Sequence, residues 1–188
     1  MSNGTRKKLI ESATDLVRTQ GFAGFSYADL ASAVGIRKAS IHHHFPAKED
    51  LGVAIVEAYS EGFVEALDDL SRRHVTARER LKGYAGLYRV PLLAGKPCLC
   101  GVMASEFAIL PMSIKLAVQR FFELNQRWLD GVLTEPALGF GVERRHRAAL
   151  AFLSGLQGAA LLTLTRESVD GFDQTVNGLL EVLIPNAP

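Results

Sequence analysis

The chain has 188 residues, of which 48% are hydrophobic and 22% charged, and its formal net charge is +1. That length allows one or two domains with a sizeable core, and so apolar a composition excludes an intrinsically disordered chain. No apolar run reaches the roughly 18 to 20 residues that span a bilayer. The N-terminus, MSNGTRKKLIES, lacks the apolar core and small-residue cleavage site of a secretory signal, so a cytoplasmic protein with no membrane partner is expected. Charge is unevenly spread: residues 1–48 hold seven Lys or Arg against three Asp or Glu, a balance of +4 that leaves −3 on the remainder. A basic N-terminal part fits phosphate binding at one end of the chain.

In chain order, residues 5–20 put Leu9, Ile10, Ala13, Leu16 and Val17 on one stripe. They predict an amphipathic helix with Thr5 as its cap and Gly21 as its terminator. The stretch SYADLASAVGIRKASIHHHFPAKEDL, Ser26 to Leu51, reads as two short helices across a tight turn, with a third starting behind them. Ser26 and Asp29 have capping-box spacing, in which a hydroxyl and a carboxylate meet the free amides of a helix start. Leu30, Ala31 and Val34 recur at helical spacing. Gly35 ends that helix, because only glycine enters the left-handed region without steric cost. A second helix is expected from about Arg37 to Phe45, stopped by Pro46, with Ile36, Ile41 and Phe45 facing inward. Two helices across a short glycine-containing turn make a helix-turn-helix, whose second helix enters a DNA major groove.

The run Gly35-Ile36-Arg37-Lys38-Ala39-Ser40-Ile41-His42-His43-His44-Phe45, then Lys48-Glu49-Asp50-Leu51, resembles the DNA-binding signature of TetR-family repressors. That signature reads Gly-Val-Ser-x-x-Thr-Leu-Tyr-x-His-Phe, then Lys-Glu-x-Leu. The resemblance implies an all-α fold, with an N-terminal three-helix helix-turn-helix DNA-binding domain over 1–47 and a C-terminal helical effector-binding and dimerisation domain over 48–188. It implies groove- or phosphate-facing positions for Arg37, Lys38, Ser40, His42 and His43, a backbone-contacting position for His44 and a phosphate-contacting one for Lys48. Phosphate contacts position and base contacts specify; Lys38 donating to guanine is the physically obvious specific pair. Three departures stand out: Arg37 replaces the usual capping serine, His42 the usual tyrosine, and Ala47 a frequent serine or asparagine cap.

Further along, Lys48 to about Arg73 predicts a long helix with a stripe of Leu51, Ile55, Ala58, Tyr59, Phe63, Ala66, Leu67 and Leu70. Residues 77–93 predict another, broken near Pro91; 94–101, AGKPCLCG, reads as a loop; 102–110 is a short helix ended by Pro111. Helices from Met112 to about Glu135, from Val142 to Arg166 and from Phe172 to Ile184 follow, with a linker over 136–141. The penultimate helix repeats small residues: Ala151, Gly155 and Ala159 at four-residue spacing, with Ser154 and Gly158 beside them. Small side chains let helices approach closely, and a close helix partner offsets the roughly 1 kcal/mol that each mid-helix glycine costs. The partner is either a second copy or another helix of the same chain. The resemblance implies the former, a homodimer through Ala151, Ser154, Gly155, Gly158, Ala159, Leu162, Leu179 and Leu183.

Catalytic motifs are absent: there is no GxSxG, HExxH or GxxxxGK[ST], and Gly139-Phe140-Gly141 lacks the third glycine of GxGxxG. No cofactor is implied. His42, His43 and His44 project about 100° apart on a helix and cannot converge on one ion, so no metal site is expected. Cys98 and Cys100, separated by one residue, are poorly placed for a disulfide. They are either a sensor for reactive electrophiles, activated by Lys96 or a following helix start, or small core residues. Tyr84, Tyr88, Met103, Phe107, Phe122 and Trp128 are candidates to line an apolar effector pocket, although aromatic stripes also build plain cores. The expectation is a homodimeric transcriptional regulator, a repressor released from palindromic double-stranded operator DNA by a small-molecule or thiol-reactive effector. A helical small-molecule-binding module without specific DNA binding is the alternative.

Overall fold

The structure, a computed structural model, describes residues 2–166 and 168–184. Among these, every regular element is helical: α1 (Ser2–Gln20), α2 (Tyr27–Val34), α3 (Lys38–His44), α4 (Lys48–Arg73), α5 (Ala77–Leu92), α6 (Leu99–Ser105), α7 (Met112–Val132), α8 (Val142–Arg166) and α9 (Asp170–Leu183). Short 3-10 turns lie at Phe107–Ile109 and Pro136–Leu138. The chain divides into two compact units, one of Met1–Gly62 with Leu99–Phe121, the other of Phe63–Cys98 with Phe122–Pro188. Two of the three dividing points fall inside α4 and α7, so both helices contribute to each unit, and the third falls just before α6.

The first unit is built on a buried stripe of α1. Leu9, Ala13 and Val17 have no solvent exposure, and Leu30, Ile41, Phe45, Leu51 and Ile55 complete the core. α1 packs on α2 and α6, and α2 on α3. Helix α1 begins at Ser2, so Thr5 lies within its first turns rather than capping it. Ile36 is only part-buried, a correction to its expected core place: it sits in the turn, ahead of α3, where neither helix covers it fully.

In the second unit α8 packs on α9 and α5, and α5 on α9. Its core holds Leu81, Tyr84, Phe152, Leu156, Phe172 and Leu180. Thr76 caps α5 with a box closed by Glu79, and an Arg89–Asp173 pair ties α5 to α9 through two bonds of 2.7 and 2.8 Å. The Asp173 carboxylate, hydrogen-bonded and opposite in charge, raises the Arg89 pKa. Helix α8 has the length and mean hydropathy, 1.6, of a membrane span, but 44% of that window is buried within the protein. Ala148, Ala149, Phe152, Leu153, Leu156, Ala159, Ala160 and Thr163 are its buried positions.

Sequence and structure differ most around the cysteines. The expected loop over 94–101 is shorter: α6 starts at Leu99, so Cys100 and Gly101 belong to its first turn. Gly101 reads as a breaker, but burial of Leu99, Cys100 and Met103 outweighs the roughly 1 kcal/mol a helical glycine costs. α6 also ends at Ser105, earlier than Leu110. α7 ends at Val132, and α9 starts two residues early at Asp170, where Asp170 and Asp173 suit the positive end of the helix dipole.

Candidate nucleic-acid interface

The helix-turn-helix is assembled from local signals. The Ser26 hydroxyl accepts from the amides of Ala28 (3.2 Å) and Asp29 (3.4 Å), while Asp29 accepts from the Ser26 amide at 2.7 Å. The Ser26 hydroxyl also donates to the Asp29 carboxylate at 2.7 Å, and these bonds hold the Asp29 pKa below its ordinary value. Gly35 adopts φ 74, ψ 35, and its amide and that of Ile36 return to the Ala31 carbonyl. This left-handed closure redirects the chain into α3. Arg37 stands at the start of α3 without a side-chain cap, as expected.

α3 is anchored on one side and open on the other. Ile41 is fully buried and Phe45 is 2% exposed. The buried Tyr27 hydroxyl is shared between the carbonyls of Phe45 (2.9 Å) and Ala47 (2.8 Å), tying the end of α3 to α2. Burial, with the nearby Asp50 charge second, pushes the Tyr27 phenol up to about 12. Arg37, Lys38, Ser40, His42 and His43 are exposed, and His44 partly so. His42 stacks edge-on to Tyr27, 4.9 Å between centroids, and its Nδ1 lies 3.2 Å from the Pro46 carbonyl. Arg6, Lys7 and Lys8 of α1 are exposed as well, with the Arg6 guanidinium 5.1 Å from the Phe45 ring centre. The face thus offers cations, a hydroxyl and imidazoles from a fixed helix, the inventory that phosphates and base edges accept.

Lys48 is only part-exposed. Its ammonium donates to the carbonyls of Phe22 and Phe25, 2.5 Å each, and lies over both rings at 4.7 and 4.3 Å. Burial lowers its pKa, opposed by the charges of Glu106 and Asp29. No local pattern signals this arrangement, because the turn carbonyls it serves lie 26 and 23 residues away.

The residues expected to bind an effector are distributed between the units. Tyr84, Tyr88, Cys98, Phe122 and Trp128 belong to the second; Cys100, Met103 and Phe107 to the first. Tyr84 stacks on Trp128 at 5.6 Å and meets Phe63, Tyr88 and Phe152 edge-on or tilted. Its hydroxyl donates to Asn125 at 2.8 Å and lies 3.1 Å from that of Tyr88, which accepts from Gln157 at 3.3 Å. Asn125 and Gln157 escape sequence reading because nothing local distinguishes them from surface amides. A concavity of about 450 Å³ opens elsewhere in this unit, lined by Leu92, Leu93, Gly95, Thr163, Leu164, Ser168 and Val169. Neither cysteine is in a disulfide, and both are buried, Cys98 at 5% and Cys100 at 0% exposure.

The small-residue stripe of α8 splits in two. A β-carbon on Gly155 would fall 2.6 Å from Leu179 Cδ1, so this glycine admits α9 of the same chain, and Ala159 is buried beside it. Ala151, Ser154, Gly158 and Leu162 are exposed instead, with Leu179 and Leu183 between these extremes. A β-carbon on Gly158 would meet nothing within 4 Å.

An all-helical chain with this capped, glycine-turned pair and an open second helix is a helix-turn-helix protein. The family profile described as "Bacterial regulatory proteins, tetR family" matches residues 9–55. The crystal structure of a TetR transcriptional regulator from Legionella pneumophila is 31% identical, covers 93% of this chain and 95% of its own, and superposes with a TM-score of 0.86. A TetR-family regulator from Agrobacterium tumefaciens is 29% identical over 97% of this chain and 98% of its own, with a TM-score of 0.90. The HTH-type transcriptional repressor DhaR of Mycobacterium sp. (strain GP1) is 23% identical, covering 96% of this chain and 93% of that protein. The chain belongs to the TetR family of transcriptional regulators.

Proposed function

We propose that the protein is a cytoplasmic homodimeric repressor that holds a palindromic operator through α3 of each copy and releases it when an effector occupies the helical body, residues 48–188. The observation that carries the DNA reading is the row Arg37, Lys38, Ser40, His42 and His43, exposed on a helix whose opposite face, at Ile41, is fully buried. A rigid helix presenting donors to solvent costs little ordering on binding. His44 and Lys48 flank the row, and the exposed Arg6, Lys7 and Lys8 add charge for phosphates.

The dimer reading rests on α8 and α9. Leu161 and Leu162 are 65% and 54% exposed beside Ala151, Ser154 and Gly158, and Val182 of α9 is 77% exposed. An apolar, small-residue face of this kind is suited to a second copy across a two-fold axis. Two recognition helices so related meet major grooves about 34 Å apart, hence the palindrome. The aromatic and amide cluster of Tyr84, Tyr88, Trp128, Asn125 and Gln157 supports effector binding in the body, since it combines apolar rings with convergent polar groups. Burial of Cys98 and Cys100 favours a non-covalent effector, because a thiol reagent reaches such sulfurs only after local opening.

The test is titration of the reduced protein against DNA flanking its own gene and scrambled DNA of equal composition, before and after treatment with N-ethylmaleimide. Sequence-preferring binding that the reagent leaves intact is expected. Equal, weak binding to both DNAs and to pooled genomic fragments overturns the repressor reading. It would leave a small-molecule-binding module without specific DNA binding.

A further inference from the structure

The turn Gly21–Phe25 joins α1 to α2, and it is held from both sides by charged groups of the same unit. Glu106, the residue after α6, accepts through Oε2 from the amides of Phe22 (2.8 Å) and Ala23 (3.2 Å), more than 80 residues away in sequence. Lys48, the first residue of α4, takes the turn's carbonyls at Phe22 and Phe25. One group therefore satisfies donors of the turn and the other its acceptors, and their opposite charges attract across it. The fit is close: Gly21 has φ +81, and a β-carbon there would lie 2.2 Å from Glu106 Oε1. The first turn of α7 also grips α4. The Ser113 hydroxyl donates to Glu49, and Ile114 Cδ1 lies 2.4 Å from where a β-carbon on Gly52 would sit.

We infer that Glu106 is a positioning residue for DNA binding, a latch through which the segment from Cys100 to Ile114 sets the α1–α2 turn and, one residue beyond it, the helix-turn-helix. The inference rests on the DNA-binding reading and adds the residue that couples the head to the segment following the cysteines. Bonds from amides to a carboxylate are about twice as strong as neutral ones and are short-ranged. A shift of α6 by about an ångström stretches both beyond hydrogen-bonding distance. Two turn amides are then released, and Lys48 loses one of the two carboxylate charges that act on it. Neither Glu106 nor the turn lies on α3, so the residue alters presentation of the recognition helix without contacting DNA.

The test uses the full chain, DNA selected by the wild-type protein from a random library, and the unselected library as control. Glu106→Ala is expected to weaken selected DNA by about tenfold, the scale of losing hydrogen bonds to a charged group, and the unselected library by less than about threefold. Glu106→Gln, whose amide oxygen still accepts, is expected to recover most of the loss. Amide exchange at Phe22 and Ala23 should quicken in the order wild type, Gln, Ala. A merely structural role would lower binding to both DNAs in step with the folded fraction and leave those two amides unexceptional. Wild-type affinity and exchange in Glu106→Ala overturn the latch while leaving the DNA reading intact. Absence of sequence preference in the wild type overturns the DNA reading instead, and the exchange comparison still decides the latch. Should Glu106→Ala fail to fold, the same comparison is made on Glu106→Gln, where exchange equal to wild type at both amides overturns the latch.

Discussion

Tyr27 follows the cap of α2, and its hydroxyl closes the end of α3 by serving two carbonyls at once. The fold favours the neutral phenol, so its contribution is complete below the ordinary tyrosine value, about pH 10, and is lost as pH rises toward about 12. In that window the folded protein binds more protons than the unfolded chain, and stability falls with pH. Tyr27→Phe should remove this alkaline loss and cost about 1 kcal/mol at neutral pH. Denaturant midpoints of the two proteins from neutral pH to about pH 11.5 measure the difference, in which the buried Tyr84 cancels. Lys48 makes the same point about hidden partners. Its position in the signature implies a phosphate contact, whereas its ammonium is engaged by the carbonyls of Phe22 and Phe25, leaving one proton of three for DNA. Lys48→Ala should weaken operator and random DNA alike by about tenfold and also lower the melting temperature. Undiminished binding to both, with only the melting temperature lowered, would reduce Lys48 to a turn clamp.

At the scale of elements, α2 and α3 are short and start differently. α2 has a complete capping box, but α3 begins at Arg37 with no side-chain cap. A capping side chain contributes about 1 kcal/mol, so α3 gives up that stabilisation while holding a guanidinium at its open end. Arg37→Ser should raise stability by about that amount while weakening DNA binding and flattening its salt dependence by about one phosphate contact. Thermal melting and titration at several salt concentrations check the two halves separately. A variant that gains stability with unchanged salt dependence would place Arg37 away from the phosphates. Elements without strong local ends were the least legible. α6 was hidden by Pro97 and Gly101, which read as a loop, and was revealed by the burial of Leu99, Cys100 and Met103 on one face.

For the whole molecule, the two glycines of α8 separate folding from assembly. A β-carbon on Gly155 would press on the Leu179 side chain, whereas Gly158 has open space. Gly158→Ala should stabilise the protomer by about 1 kcal/mol through helix propensity and weaken self-association if a second copy packs there. Gly155→Ala should gain less protomer stability than Gly158→Ala, because the Leu179 side chain must move aside for it. Sedimentation across a concentration series, with melting temperatures at each concentration, distinguishes these effects, since a dimer's stability depends on concentration. A Gly158→Arg protein that remains as dimeric as wild type would exclude this face from the interface.

The helical class, most helix boundaries and the helix-turn-helix were legible in the sequence alone, because each depends on interactions within a few residues. Ser26 with Asp29, Gly35, Pro46 and the apolar spacing of α1 and α4 are local devices, and the structure bears them out. Which polar groups meet was decided only by tertiary structure. Glu106 beside the Phe22 amide, Lys48 beside the Phe25 carbonyl, Asn125 beside Tyr84 and Arg89 beside Asp173 join positions from 23 to 84 residues apart. Local periodicity assigns a residue to a face; only packing decides which distant backbone or side chain that face meets. The division of the small-residue stripe, from exposed Ala151 through part-buried Gly155 to buried Ala159, follows from the same cause, since a four-residue repeat drifts around a 3.6-residue helix and the neighbouring helix covers only part of it.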